Sequence, residues 1–336
     1  MSGNSFTQER DIVAALQLRG RDQEDLFARA RQARDAALGP RAEVRSVIEY
    51  ANLCDQDCRY CGMGASSPVT RYVLKNGSLR RHLDHVHGLG RRVIMVQTGE
   101  HDHDAYFDNL FGVLAAAAAA YPDVVFIFAL GNLGDDKYAR LRALGPHRYL
   151  LKFETSDPAL YRTLKPRDTL ANRLAHIARL KALGFQVSSG NITGLPGQDL
   201  ASVARDLLLL AELQLPMGST SPYIPNDLSP LASAPPADLD LVLNCMAVLR
   251  LMRPAMLIPT TSALEILRPG GQRLGLLAGA NTITVHDGAS DEHEGEFVIY
   301  RKDRFIPRTS LLEVAAAAGL TCSAHPLIGG PAADGS

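Results

Sequence analysis

The chain has 336 residues, 46% of them apolar and 21% charged, with a formal net charge of −1. This is the balance of a folded soluble protein with apolar material for a large core, and its length suits two domains or one large α/β barrel. No net field draws such a chain to nucleic acid or to an anionic membrane.

The N-terminus, MSGNSFTQERDIVAAL, is polar and lacks the apolar segment of a secretory signal. Residues 5–40 carry helix-like spacing with many charges, so 1–40 is expected to be an N-terminal helical extension. Beyond Pro40, short apolar runs alternate with helix-length segments. The runs are VRSVIEY (44–50), RRVIMVQT (91–98), VVFIFAL (124–130), RYLLKFET (148–155), QVSSGNITG (186–194), GSTSPYI (218–224), AMLIPTT (255–261) and NTITVHD (281–287). Segments 170–185 and 200–214 between them show helical periodicity. The most apolar window, 113–130, is broken by Tyr121-Pro122-Asp123 and reads as helix, turn and buried strand, not as a membrane span. Alternating strand and helix implies a parallel sheet. Eight repeats predict a single full (β/α)8, TIM-like barrel over 41–326, whose active site belongs at the C-terminal ends of the strands. The end of the chain, 327–336 (LIGGPAADGS), is expected to be a disordered tail.

Three of the five cysteines stand within CDQDCRYC, as Cys54, Cys58 and Cys61, directly after the first predicted strand. An odd, clustered set in a chain without an export signal argues for metal or catalytic thiols and for the reducing cytoplasm. Three readings compete. A structural zinc needs four ligands, the fourth here coming from His82, His85, His87 or beyond. Incidental buried cysteines are the second. The third is a [4Fe–4S] cluster, for which full protein ligation needs four thiolates, so three leave one iron open.

The spacing Cys54-x3-Cys58-x2-Cys61, with Tyr60 before the last cysteine, resembles the signature of radical S-adenosylmethionine (SAM) enzymes. The resemblance implies a [4Fe–4S] cluster whose open iron is chelated by SAM, and a 5′-deoxyadenosyl radical formed by reductive cleavage. It also implies an external electron donor such as flavodoxin or ferredoxin. Within the biotin synthase–like branch the likeness is nearest to the [FeFe]-hydrogenase maturase and methylornithine synthase types. Gly99-Glu100 then stands near the SAM amino group, Glu154 at the adenosyl ribose, and Arg173 at the SAM carboxylate. Gly194, in a glycine-rich turn, and Ile224 lie against adenine, with Tyr60 among the cofactor contacts. The Pro269-Gly270-Gly271 and Gly279-Ala280-Asn281 pairs fit the same branch.

The resemblance stops at the substrate. Biotin synthase carries a second cluster on strand cysteines, and the strands IMVQT, VVFIFAL and QVSSGNITG have none. Cys245, on an apolar helix, is expected to be a buried structural thiol, and Cys322, beyond strand eight, to lie far from it near the barrel mouth; no second cluster is expected. Candidate substrate contacts are Lys152, Thr260, Thr261, Ser262 and Arg273, with Glu265, His286 and Asp287 beside them; His101 and His103 are loop surface or substrate contacts. The expectation is an enzyme that abstracts hydrogen from a small polar metabolite, for rearrangement, fragmentation or sulfur transfer. Hydrogenase-cluster maturation and a non-catalytic metal-bearing scaffold are the alternatives.

Overall fold

A computed structural model describes residues 6–288, 293, 295–300 and 310–328. Nine strands are present among them: β1 (Arg41–Ala51), β2 (Val93–Thr98), β3 (Val125–Ala129), β4 (Arg148–Leu150), β5 (Gln186–Thr193), β6 (Met217–Pro222), β7 (Pro259–Thr260), β8 (Thr282–Val285) and β9 (Thr321–Cys322). The first eight pair in parallel in the order β6-β5-β4-β3-β2-β1-β8-β7. The ends of that row meet through a Met217–Leu257 bridge, with Gly218 N donating to Leu257 O at 3.0 Å and Leu257 N to Pro216 O at 2.9 Å. The expected barrel is therefore present, and each of the eight apolar runs supplies one strand.

The strands are buried on both faces, as parallel strands are. Their period of two splits the side chains between two cores. Val47, Val93, Met95, Ile127 and Ala129 fill the barrel interior, with Leu150 packed on them. Ile48, Tyr50, Ile94, Val96, Phe126 and Phe128 face outward into the large core beneath the helices. Helices Glu9–Leu16 and Gly20–Leu38 belong to that outer layer. Buried Arg34 donates to the carbonyls of Leu276 and Ala280 at 2.8 and 3.1 Å.

Two runs are shorter than expected. The fourth leaves the ladder after Leu150 and rejoins β5 only at Glu154, which bridges Asn191. Glu154 has φ +64°, a left-handed conformation that breaks a regular strand. The seventh is cut to two residues, and Pro259 within it has no N–H for a ladder.

The floor of the barrel is closed. Arg148, with no exposure, holds Glu43 by two bonds of 2.6 and 2.9 Å. Leu327 N donates to Glu43 Oε2 at 2.8 Å, and Arg148 Nη2 donates to Ile328 O. Residues 327–328 are thus tied down, and 329–336 of the expected tail lie outside the described residues. Strand β9 pairs with Arg41 and Ala42, at the start of β1. Cys322 accordingly sits at the floor end, not at the mouth, while Cys245 is fully buried 3.9 Å from Thr193 Oγ1.

Candidate active site

The loop after β1 carries the three cysteines at the C-terminal end of the barrel, each half-buried. Cys61 N donates to Cys58 O at 3.0 Å, and Met63 N points at Cys61 Sγ from 3.4 Å. Asp55 N donates to Glu100 O at 2.8 Å, which ties the loop to the end of β2. Arg71 braces the far side through the carbonyls of Asn52 and Met63, both at 2.8 Å. Gly99 allows the close approach of β2 to the loop. A Cβ there would stand 2.8 Å from Cys54 Cβ, with Leu53 O nearer still.

Burial pushes the Cys54 thiol up, and it pushes Cys61 up further with help from the Cys58 thiol beside it. Bound cationic iron reverses that preference, because a coordinating thiol is deprotonated outright. Among the described residues, no three His, Cys, Asp or Glu gather closely enough for one metal ion. Thiolates that hold separate irons of a cube stand farther apart than the ligands of a single ion. The donor set, three thiols without a carboxylate or imidazole, fits the cluster. The suggested fourth zinc ligand His87 instead lies 3.3 Å from Asp123 and stacks on Tyr121.

Below the loop, a cavity of about 250 Å³ runs into the barrel. Tyr60, 8% exposed, forms part of its wall near the cysteines, and burial pushes its phenol up. Lys152 and Glu154 line it as an ion pair of 3.0 Å. Thr261 contributes a buried hydroxyl with no hydrogen-bond partner. Ser262 Oγ is 3.0 Å from both His286 Nε2 and Tyr300 OH. His286 Nδ1 in turn is 3.2 Å from Glu49 Oε1. Phe297, Ile299 and Tyr300 wall one side, held there by Asn226 on Val298 O (2.9 Å) and Gly62 on Ile299 O (3.3 Å).

Several expected contacts lie elsewhere. Thr260 is fully buried and donates its hydroxyl to Gln272 O at 2.9 Å. Glu265 accepts from Gly270 N and Gln272 N, at 2.7 and 2.8 Å. Arg273 is exposed, and Asp287 pairs with Arg91 at 2.7 Å. His101 holds Asp55 at 2.9 Å and lies 5.9 Å from the ring of His103, which places both on the loop rim. Gly194 has the left-handed φ of +83° that its turn needs, yet the space beside it is filled by Ala237, at 2.7 Å from a Cβ. Ile224 is buried and does not line the cavity.

Arg173, 2% exposed, lies outside the cavity wall. Its guanidinium meets Glu100 at 2.8 Å, Asp168 at 3.2 Å and the Tyr161 hydroxyl at 3.3 Å. Against the desolvation of burial, the carboxylates hold its pKa above the usual range.

The sequence reading missed the deeper polar lining: Arg45 and Glu49 on β1, Gln97 on β2, Ser219 and Ser221 on β6, Thr284 on β8. The signal for the first two was there. Glu43, Arg45 and Glu49 share one face of an otherwise apolar strand.

Comparison with known proteins was made against this geometry. The family profile described as Radical SAM superfamily matches residues 48–210. The [FeFe] hydrogenase maturase subunit HydE of Thermotoga maritima is 31% identical over 280 residues, 83% of this chain and 79% of that protein. The 3-methylornithine synthase of Methanosarcina barkeri is 26% identical, over 82% of this chain and 78% of its own. Among solved structures, methylornithine synthase (PylB) superposes with a TM-score of 0.84 at 23% identity, over 94% of each chain. HydG, a maturase of the [FeFe]-hydrogenase, gives 0.80 at 18% identity, over 95% of this chain and 72% of its own. Both structural matches show the shared fold.

Proposed function

The chain belongs to the radical S-adenosylmethionine superfamily, enzymes that use a [4Fe–4S] cluster and SAM; from that premise we propose that Cys54, Cys58 and Cys61 hold the cluster at the mouth of the barrel cavity, and that a small polar metabolite is the substrate. The observation that carries this reading is the placement of the cysteine loop, whose Tyr60 forms part of the wall, over a barrel cavity that has polar side chains in its lining and a sealed floor. When bound, the cluster and SAM would supply the radical chemistry for hydrogen-atom abstraction.

The chain's own residues supply binding, orientation and exclusion of water. Glu154 stands at the mouth in a strained backbone held on both sides: its N–H donates to Gly190 O at 3.0 Å, and its carbonyl accepts from Ile192 N at 2.8 Å. Such strain is kept where the surroundings over-determine it, as at a ligand site. Tyr60, Lys152, Glu154, Thr261 and Ser262 remain the contacts we assign to SAM and substrate. Arg173 is assigned a positioning role. Its ion pair fixes Glu100, whose carbonyl fixes Asp55 in the cysteine loop. No helix among the described residues is long and apolar enough to cross a membrane. The reading places the enzyme in the cytoplasm with a flavodoxin- or ferredoxin-type electron donor, in biosynthetic tailoring.

A second reading, [FeFe]-hydrogenase maturation, is favoured by the HydE relative. The scaffold reading gives way, since the chain is a radical SAM enzyme. The test is anaerobic reconstitution of wild type and of each Cys→Ala variant. Wild type should carry about four irons and cleave SAM to 5′-deoxyadenosine when reduced, and every variant should lose both properties. Full iron and cleavage in any one variant refutes the assignment. Hydrogenase genes beside the coding sequence would favour maturation, and a biosynthetic cluster would favour tailoring.

A further inference from the structure

Resting on the reading above, we propose that Arg45, deep in the barrel cavity, receives a carboxylate of the substrate, so that the substrate is a small molecule with a single anionic end.

Arg45 lies on β1 nine residues before Cys54, opposite Thr284 of β8 and Val93 at the start of β2. It is therefore low in the barrel, while the cysteine loop is at the top. The residue is 6% exposed and lines the cavity. Among the described residues its guanidinium makes one hydrogen bond, Nε to Thr284 Oγ1 at 2.7 Å. The acid whose charge it feels most is Glu43, and Glu43 is already committed to Arg148 and to Leu327 N. Burial pulls the guanidinium down only to about 10, so it is charged at neutral pH.

Among the described residues, the other charged groups facing the interior each have a titratable or charged partner close by. Glu43 meets Arg148, Lys152 meets Glu154, and Glu49 faces His286. Among the described residues, Arg45 has a neutral hydroxyl as its hydrogen-bond partner. A buried guanidinium without an acid carries a desolvation cost that one hydroxyl does not offset. Its unused Nη edge is a planar fork suited to a carboxylate. A monoanion balances the single positive charge. A phosphate dianion would leave a negative charge uncompensated in the same buried place. The anionic end is thus anchored low in the barrel, and the rest of the molecule extends past Thr261, Ser262 and Glu154 toward Tyr60.

The probes are straight-chain monocarboxylates of three to eight carbons, their uncharged amides, and inorganic phosphate. Each is titrated calorimetrically into the anaerobic, cluster-loaded enzyme before SAM is added. The expected result is at least one carboxylate that binds tenfold or more tightly than its amide, with no binding by phosphate. In Arg45→Met this preference should vanish, while iron content and SAM affinity stay as in wild type. Without ligand, Arg45→Met should melt no lower than wild type, since it removes an uncompensated buried charge; Arg45→Lys should keep part of the preference. No carboxylate preference in wild type, an unchanged preference in Arg45→Met, or competition by phosphate alone would overturn the proposal. A lower melting temperature in Arg45→Met, with the preference intact in Arg45→Lys and Arg45→Met alike, would assign the residue to structure and also overturn it. Loss of iron from wild type would instead refute the cluster reading, leaving the carboxylate preference of the apoprotein to decide on Arg45.

Discussion

Substituting Gly99 by alanine tests how tightly the cysteine loop is set against the sheet. The backbone at Gly99 is not in the left-handed region, so alanine meets no conformational objection of its own. The conflict is steric. The new Cβ would stand 2.8 Å from Cys54 Cβ, where ordinary contact begins at 3.4 Å, and the Leu53 carbonyl oxygen is nearer still. Contact with Cys54 alone therefore demands a shift of about 0.6 Å. The neighbours are short backbone atoms and a Cβ, which cannot swing away like the end of a long side chain. The loop is also held by Gly99 N on Ala51 O (3.1 Å) and Asp55 N on Glu100 O (2.8 Å), and one of these must stretch. Overpacking of this kind costs about 1–3 kcal/mol. The assay is iron and sulfide content after anaerobic reconstitution, with melting followed by circular dichroism. Gly99→Ala should keep its helical signal, melt lower, and bind iron at well under half the wild-type level. A variant with full iron and unchanged melting would show that the loop does not need this close approach.

Arg173→Ala should be more damaging than loss of one ligand contact. It strands Glu100 and Asp168 in a buried place, at a cost of about 3–5 kcal/mol, and melting near wild type would contradict the positioning role. Two buried groups should show opposite pH dependence. Burial raises Asp206 to about 6 from 3.8, so its folded form holds its proton longer and stability falls as pH rises from 3.8 to 6. Burial lowers His147 to about 4 from 6.5, so stability rises as pH rises from 4 to 6.5 and is lost on acidification through that window. Each shift corresponds to about 3 kcal/mol; wild type should be nearly flat between pH 4 and 6, while His147→Phe should lose stability as pH rises across that range, and denaturant titrations at several pH values will show whether it does. The double variant Cys245→Ala, Cys322→Ala should keep wild-type iron; a fall from about eight to about four irons would reveal a second cluster.

The triplet Cys54, Cys58 and Cys61 was legible because its chemistry demands one residue type at fixed intervals. The eight strands were legible because apolar runs between helical segments have few other uses in a chain of this size. The cavity was not read as well. Thr260 and Thr261 are neighbours of the same type, and only the register decides which hydroxyl is turned to Gln272 and which into the cavity. Glu265 and Arg173 are polar residues with the right offsets, yet their partners come from distant segments or from a local turn. Strands buried on both faces show no polar contrast to mark the inward side. Arg45 and Glu49 were passed over for that reason, although charges at even spacing in an apolar strand already point inward.

The sealed floor has a kinetic meaning. With Glu43, Arg148 and the 327–328 segment filling one end of the barrel, substrate and product pass through the mouth beside the cysteine loop. That doorway is shared with whatever occupies the loop. A molecule held at the bottom must arrive before the doorway fills and can depart only after it clears. Steady-state kinetics should then follow a compulsory order, with substrate first on and product last off.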